Sequence, residues 1–449
     1  MSSDARQLLD PLMGGSAVAH VFSDRARLQG MLDFEAALAR AEAQTGVIPQ
    51  GAVAAIAGCC EADRFDLPSL ASASVAQGNL AIPMVRQLTD LVAVADADAA
   101  RYVHWGATSQ DAIDTGIVLQ FRDALGVLEA DLARLSDALA KLATDHKLTP
   151  CVGRTWLQHA LPITFGLKAA GWLDGVERHR ARLADLRPRL LVLQFGGAAG
   201  TLAALGGKGL AVAEALAADL RLGLPAMPWH TERGTFAEFA SFLGALTGTL
   251  GKLARDVSLM MQTEVGEAFE AGAPGRGGSS TMPHKRNPIA SAAVLAAAVR
   301  APGLVATVLA GMVQEHERAL GGWQAEWAVL PELAVLAAGA LRHMAETMAG
   351  LEVDTARMRR NLDATQGLIM AEAVQMALGV KLGRLVAHDR VEAACHRAVK
   401  ERRHLREVLR EDKTIMAQLS APDLDRLFDP LNYLGVAAAL VDRVLAARR

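Results

Sequence analysis

Aromatic side chains are scarce: Phe, Tyr and Trp make up 4% of 449 residues, and only two are Tyr. Neither sign of charge dominates, with 46 Lys and Arg against 49 Asp and Glu and a net charge of −3. That balance gives no electrostatic basis for binding nucleic acid or an anionic membrane. The four cysteines, Cys59, Cys60, Cys151 and Cys395, include no C-x-x-C pair. A zinc site and a disulfide framework are therefore not expected, and reduced thiols of a cytoplasmic protein are. No His/Cys/Asp/Glu cluster shows metal-ligand spacing, so no metal and no cofactor are expected. The start of the chain carries Asp4, Arg6 and Asp10 with no basic segment ahead of an apolar run, so no secretory leader is expected. No alternating strand pattern of useful length is found. The uncharged stretch 190–207 contains five glycines and Gln194, which suits a buried helix junction better than a membrane span.

Hydrophobic residues form 51% of the chain, enough for a large core and too many for disorder. Ala and Leu dominate, which favours helix over sheet, and sixteen prolines leave room for long helices. Two segments carry a seam at intervals of 3 and 4. The first is Val118, Phe121, Leu125, Leu128, Leu132, Leu135, Leu139 and Leu142; the second is Phe236, Phe239, Leu243, Leu246, Leu250, Leu253, Val257 and Met260. Such seams predict helices packed lengthwise, in a long bundle completed by other subunits. Further helices are predicted at 162–187, 288–318 and 330–350. The expected fold class is all-α with three helical domains: 1–110, with short helices broken at Gly46 to Pro49, Pro68 and Pro83; a central long-helix bundle, 111–353; and a more charged C-terminal domain, 354–449.

Residues 271–288, AGAPGRGGSSTMPHKRNP, form the main Gly/Pro/Ser-rich loop. Ser279 and Ser280 supply hydroxyls, Lys285 a cation and Asn287 amide donors. A hydroxyl base beside a cation is what proton removal next to a carboxylate needs. Lys and Asn donors would stabilise the aci-carboxylate formed. Composition alone fits an exposed linker equally well.

The string G-S-S-x-M-P-x-K-x-N at 278–287 resembles the signature loop of the fumarase/aspartase superfamily. Residues 105–111, WGATSQD, are similar to that family's first active-site segment, and 153–162, GRTWLQHALP, to its second. The resemblance implies that Thr108 and Ser109 hold a substrate carboxylate, that Thr155, Trp156 and Gln158 line the pocket, and that Ser279, Lys285 and Asn287 are catalytic. It also implies a homotetramer whose active sites are shared between subunits.

Two departures narrow the activity. The lyases of this superfamily usually read G-x-T-H in the second segment, and their His acts as general acid toward the leaving group. They also place a Glu five residues after the loop Asn. Here these positions hold Trp156 and Ala292. A carboxylate leaving group, with a conjugate-acid pKa near ~4, departs as a stable anion and needs no acid. The resemblance therefore implies the superfamily's lactonising branch, in which a carboxylate adds to an alkene within one small tricarboxylate in aromatic-compound catabolism. The alternative is an adenylosuccinate-type lyase releasing fumarate. In that enzyme hydroxyls for a phosphate follow the segment held here by Glu317 and Arg318; this chain has Trp323 and Trp327 instead. Arg318 is a candidate cation for the substrate, and His284 a candidate binding residue in the loop. His104 reads mainly as a structural hydrogen-bonding residue. His159 would share a face with Trp156 if both lay on a helix. Gly196, Gly197, Gly200 and Lys208 read as helix-junction turns.

Overall fold

The computed structural model describes residue 12, residues 17–272, 277, 278 and 282, and residues 284–448. The fold is all-α. Its longest helices are α1 (Asp24–Gln44), α2 (Ser109–Asp145), α3 (Phe165–Leu190), α4 (Gly234–Met260), α5 (Ile289–Ala310) and α6 (Gly322–Ala349). With 37 residues, α2 is about 55 Å long at 1.5 Å per residue.

The chain divides into two compact units. One comprises Met1–Ala133, His179–Gly251 and Ala293–His343; the other comprises Arg134–Arg178, Lys252–Ala292 and Met344–Arg449. In the first unit an apolar cluster gathers Leu28, Met31 and Leu32 of α1 with Ile56, Leu70, Met84 and Leu88. There α1 meets α2 at backbone contact: a Cβ on Gly30 would lie 2.7 Å from the Gly116 carbonyl oxygen. Phe121 of α2 packs against Phe236 and Phe239 of α4, with ring centroids 5.2 and 4.7 Å away. In the second unit Val374, Leu378, Val391, Leu405, Leu409 and Leu424 form a local core.

Both heptad seams lie on the expected helices, α2 and α4, and every seam residue is 8% exposed or less. The chain covers both seams itself, so the argument that other subunits are needed to bury them fails. Pro68 and Pro83 fall in the first turns of Leu67–Gln77 and Ala81–Ala95 instead of breaking helices. A missing N–H costs nothing in a first turn, because those donors have no helical partner.

The expectation of no strand is also corrected. Pro150–Thr155 (β1) pairs antiparallel with Gln158–Thr164 (β2), so the helix predicted from 162 begins at Phe165. A Cβ at Gly153 would lie 2.9 Å from both the Leu161 carbonyl and the Ile163 side chain, which fixes glycine in β1. The helix predicted over 288–318 stops at Ala310. A loop follows, closed where Gly322 meets Gly311: a Cβ on Gly322 would sit 2.6 Å from the Gly311 carbonyl oxygen.

Among the described residues, two helices have the length and hydropathy of a membrane span. In α6 the most apolar window is 67% buried by the chain's own packing, and in α5 only 28%.

Candidate active site

In the first unit the candidate residues gather around Asp111, in the first turn of α2. It is wholly buried and accepts five hydrogen bonds. Oδ1 receives Gln194 Nε2 at 3.1 Å, the Gly196 amide at 3.1 Å and His230 Nε2 at 2.8 Å. Oδ2 receives the amides of Thr108 at 3.0 Å and Gly197 at 2.9 Å. Gly197 has φ +66° and faces the Gly106 carbonyl, so the turn through 196–200 needs glycine to present its amides. This carboxylate fixes the start of α2 and with it the segment 105–111.

Thr108 thereby presents its hydroxyl to Arg318, whose Nη1 donates to it at 2.7 Å. The Arg318 guanidinium lies 5.8 Å from the ring centroid of Trp323. Burial lowers its pKa, against the charges of Asp111 and Asp114. The Trp323 indole N–H donates to buried Asp114 at 2.9 Å. Asp114 and Glu326 sandwich fully buried Arg233, with Nη1 to Asp114 at 2.7 Å and Nη2 to Glu326 at 2.5 Å. Burial opposes that charge, but the two carboxylates raise the guanidinium above its ordinary value.

His104, at φ +56°, has Nδ1 2.6 Å from Glu35 Oε1. Burial alone would lower its pKa, but the charge and hydrogen bond of Glu35, with Asp111 adding, raise it. Its observed contact is this part-buried hydrogen bond to buried Glu35. Glu42, two turns along α1 from Glu35, is fully buried, with no hydrogen-bond partner on either oxygen among the described residues. Burial, with the charge of Glu35 adding, pushes its carboxyl up to about 9.

The second unit carries the remaining candidates. Thr155, Trp156, Leu157 and Gln158 form the tip of the β1–β2 hairpin, all exposed. Trp156 and Leu157 both have positive φ, +52° and +65°. That conformation suits a two-residue hairpin turn but is disfavoured for side chains this large. Trp156 is 97% exposed. His159 lies on β2, opposite Arg154, so the helical relation to Trp156 does not exist. Burial, then the charge of Arg154, lowers its pKa. Arg154 grips Glu267 with both terminal nitrogens, at 2.8 and 2.7 Å, which anchors the hairpin.

Ser279 and Ser280 lie outside the described residues. The ends of their loop are defined. The Asn287 amide donates to the Gly277 carbonyl at 2.9 Å, and Gly277 has φ +69°. Arg286 bonds Glu352 at 2.9 Å and the Glu270 carbonyl at 2.7 Å, and stacks on Phe269 at 4.9 Å. Buried Glu270 caps α5, accepting from the Ala290 amide at 3.1 Å and from the Ser291 amide and hydroxyl at 2.8 and 2.7 Å. Arg286 is thus structural, while its neighbours His284 and Lys285 stay exposed and Asn287 half-buried.

The structure therefore brings Thr108 and Arg318 together, with Ser109 next in sequence at the start of α2. Sequence reading missed Asp111 as the hub, His230, the role of Gly196 and Gly197, and the cap Glu270. Only Asp111 carried a signal, as the last residue of the 105–111 motif. One group with metal-ligand spacing also exists among the described residues, correcting the expectation of none. His388, Asp389 and Glu392 share one exposed helix face within chelating distance of one another.

Residues 14–303 match the family described as Lyase, and residues 367–444 match the adenylosuccinate lyase C-terminus. The chain belongs to this lyase family, the fumarase/aspartase superfamily. Within it, the chain is 60% identical to the 3-carboxy-cis,cis-muconate cycloisomerase of Pseudomonas aeruginosa, over 98% of this chain and 96% of that one. It is 56% identical to the enzyme of the same name from Bradyrhizobium diazoefficiens, over 99% of each chain. It superimposes on the crystal structure of 3-carboxy-cis,cis-muconate lactonizing enzyme from Pseudomonas putida with a TM-score of 0.94, at 56% identity and over 99% of both chains.

Proposed function

We propose that this chain is a cycloisomerase that closes 3-carboxy-cis,cis-muconate to a carboxymuconolactone, the step that enzymes of this name perform in protocatechuate (β-ketoadipate) catabolism. The observation that carries this reading is identity of 56–60% with cycloisomerases over essentially the whole chain. The absence of a general acid at Trp156 and the Thr108–Arg318 pair agree with it. One substrate carboxylate adds to the alkene within the same molecule. Thr108, Ser109 and Arg318 hold a second carboxylate. Lys285 and Asn287 stabilise the aci-carboxylate that forms, and Ser279 delivers the proton to carbon. Thr155, Trp156, Gln158 and His284 wall the pocket around a small tricarboxylate. No cofactor or metal takes part in this scheme, and neither nucleic acid nor membrane is a partner. The location is cytoplasmic. On the same reading, residues 1–110 and 354–449 flank a central bundle domain, 111–353.

The working form is a homotetramer with sites shared between subunits. Two surfaces support it. Along α5, Ala292, Ala296, Val299, Gly303, Ala306 and Ala310 recur at intervals of 4 and 3 and are exposed or half-exposed. A seam of small apolar residues on a helix suits close packing against copies of itself. The bare, left-handed tip at Trp156 and Leu157 is likewise suited to completing a neighbour's pocket.

The test is Ser279→Ala, assayed by lactonisation. Turnover should fall by roughly 10² to 10⁴, the usual contribution of a positioned acid or base, with folding unchanged. Full activity in that variant would overturn the assignment of the loop.

A further inference from the structure

Arg318 reaches Thr108 from the loop at residues 311–321, which joins α5 to α6. The ends of that loop meet at the Gly311–Gly322 contact. Its middle turns at His316, which has φ +51°, a conformation that a side-chain-bearing residue holds only when its surroundings impose it. Within the loop the Leu320 amide donates to Glu315 at 3.2 Å. From outside the loop, the Thr231 hydroxyl donates to the His316 carbonyl at 3.0 Å. Two residues further on, Arg318 donates to Thr108.

Thr231 follows His230, the residue 2.8 Å from Asp111 Oδ1. Asp111 Oδ2 accepts the Thr108 amide. The contacts thus close a circuit: Thr108 to Asp111, Asp111 to His230, Thr231 to His316, and Arg318 back to Thr108. One dipeptide, His230-Thr231, holds both halves of the Thr108–Arg318 pair. His230 is 4% exposed, whereas Thr231 is half-buried with its hydroxyl at the surface, so Thr231 can be altered without opening the core.

We propose that Thr231 is a positioning residue for substrate carboxylate binding: by holding the His316 carbonyl it sets the backbone that carries Arg318, in register with the Thr108 that His230 fixes through Asp111. This rests on the reading of Thr108 and Arg318 as the carboxylate seat. Without the Thr231 bond, Arg318 must order its own loop each time substrate binds. The loss belongs to binding, not to the chemical step.

The experiment compares wild type, Thr231→Val, Thr231→Ser and His316→Asn on 3-carboxymuconate, with thermal unfolding and limited trypsin digestion alongside. Thr231→Val should raise KM about 3- to 10-fold, the net effect of one neutral hydrogen bond, with kcat within about twofold. Thr231→Ser should restore KM, since it keeps the hydroxyl. His316→Asn should behave as wild type, because it keeps the carbonyl and tolerates positive φ. Cleavage after Arg318, followed by mass spectrometry, should quicken several-fold in Thr231→Val at an unchanged Tm. Thr231→Ala provides the same test should the valine not fold. Unchanged KM and cleavage in an active enzyme, or a fall in kcat at constant KM, would overturn the proposal alone. Absence of turnover in the wild type would instead overturn the functional reading, and this proposal with it.

Discussion

Replacing Asp111 by Asn tests the hub of the site without changing its shape. The carboxylate accepts three donors on Oδ1 and two on Oδ2, all buried except the part-buried Thr108 amide. An asparagine side chain has one acceptor oxygen and one NH2 group. Its least costly orientation keeps the oxygen toward Gln194, Gly196 and His230 and turns the NH2 toward the amides of Thr108 and Gly197. Those two amides then face a donor. Each buried donor left unsatisfied costs about 1–3 kcal/mol, so Asp111→Asn should lose roughly 2–6 kcal/mol of stability. Equilibrium urea denaturation of the whole chain, followed by tryptophan fluorescence, measures this. Lactonising activity should fall at temperatures where the variant is still folded, because the Thr108 amide is among the orphaned donors. A variant within about 1 kcal/mol of wild type, with unchanged KM, would refute the view that Asp111 organises the segment 105–111.

Two further expectations concern other parts of the molecule. The folded-state pKa of Glu42, about 9, lies above its ordinary value of 4.5. The folded chain thus keeps a proton that the unfolded chain has released, and stability declines as pH rises from 4.5 toward 9. Glu42→Gln should abolish that decline and gain roughly 3 kcal/mol at pH 7 in denaturant titrations across pH; parallel curves for the two proteins would exclude a neutral buried carboxyl. Trp156→Phe should keep measurable lactonising activity, because on the proposed reading the indole acts by shape and transfers no proton; activity at background in a folded, assembled variant would assign Trp156 a chemical role.

Much of the architecture was legible because it rests on local periodicity. The two seams place α2 and α4 correctly, since a repeat of 3 and 4 has one physical reading over this length. The β1–β2 hairpin was hidden for a local reason. Its turn is Trp156-Leu157, with neither Asn nor Gly to announce positive φ. The strands flanking it also lack clean alternation, with Gly153 and Pro162 in their middles. The end of α5 was misjudged because the apolar pattern continues to Val313, and the Gly311–Gly322 contact that ends the helix joins residues apart in sequence. Thr108 and Arg318 were picked out in the sequence as candidates, and the structure places them in contact. The circuit that sets them was not legible, because Asp111, Gln194, Gly197 and His230 meet across more than eighty residues and no spacing rule links them.

The most direct measurement adds purified protein to 3-carboxy-cis,cis-muconate and follows its conjugated-diene absorbance, with fumarate assayed in parallel reactions on adenylosuccinate and argininosuccinate. The account expects rapid loss of the diene and no fumarate from either succinate adduct. Fumarate release at rates comparable with lactonisation, or an unchanged diene, would contradict it.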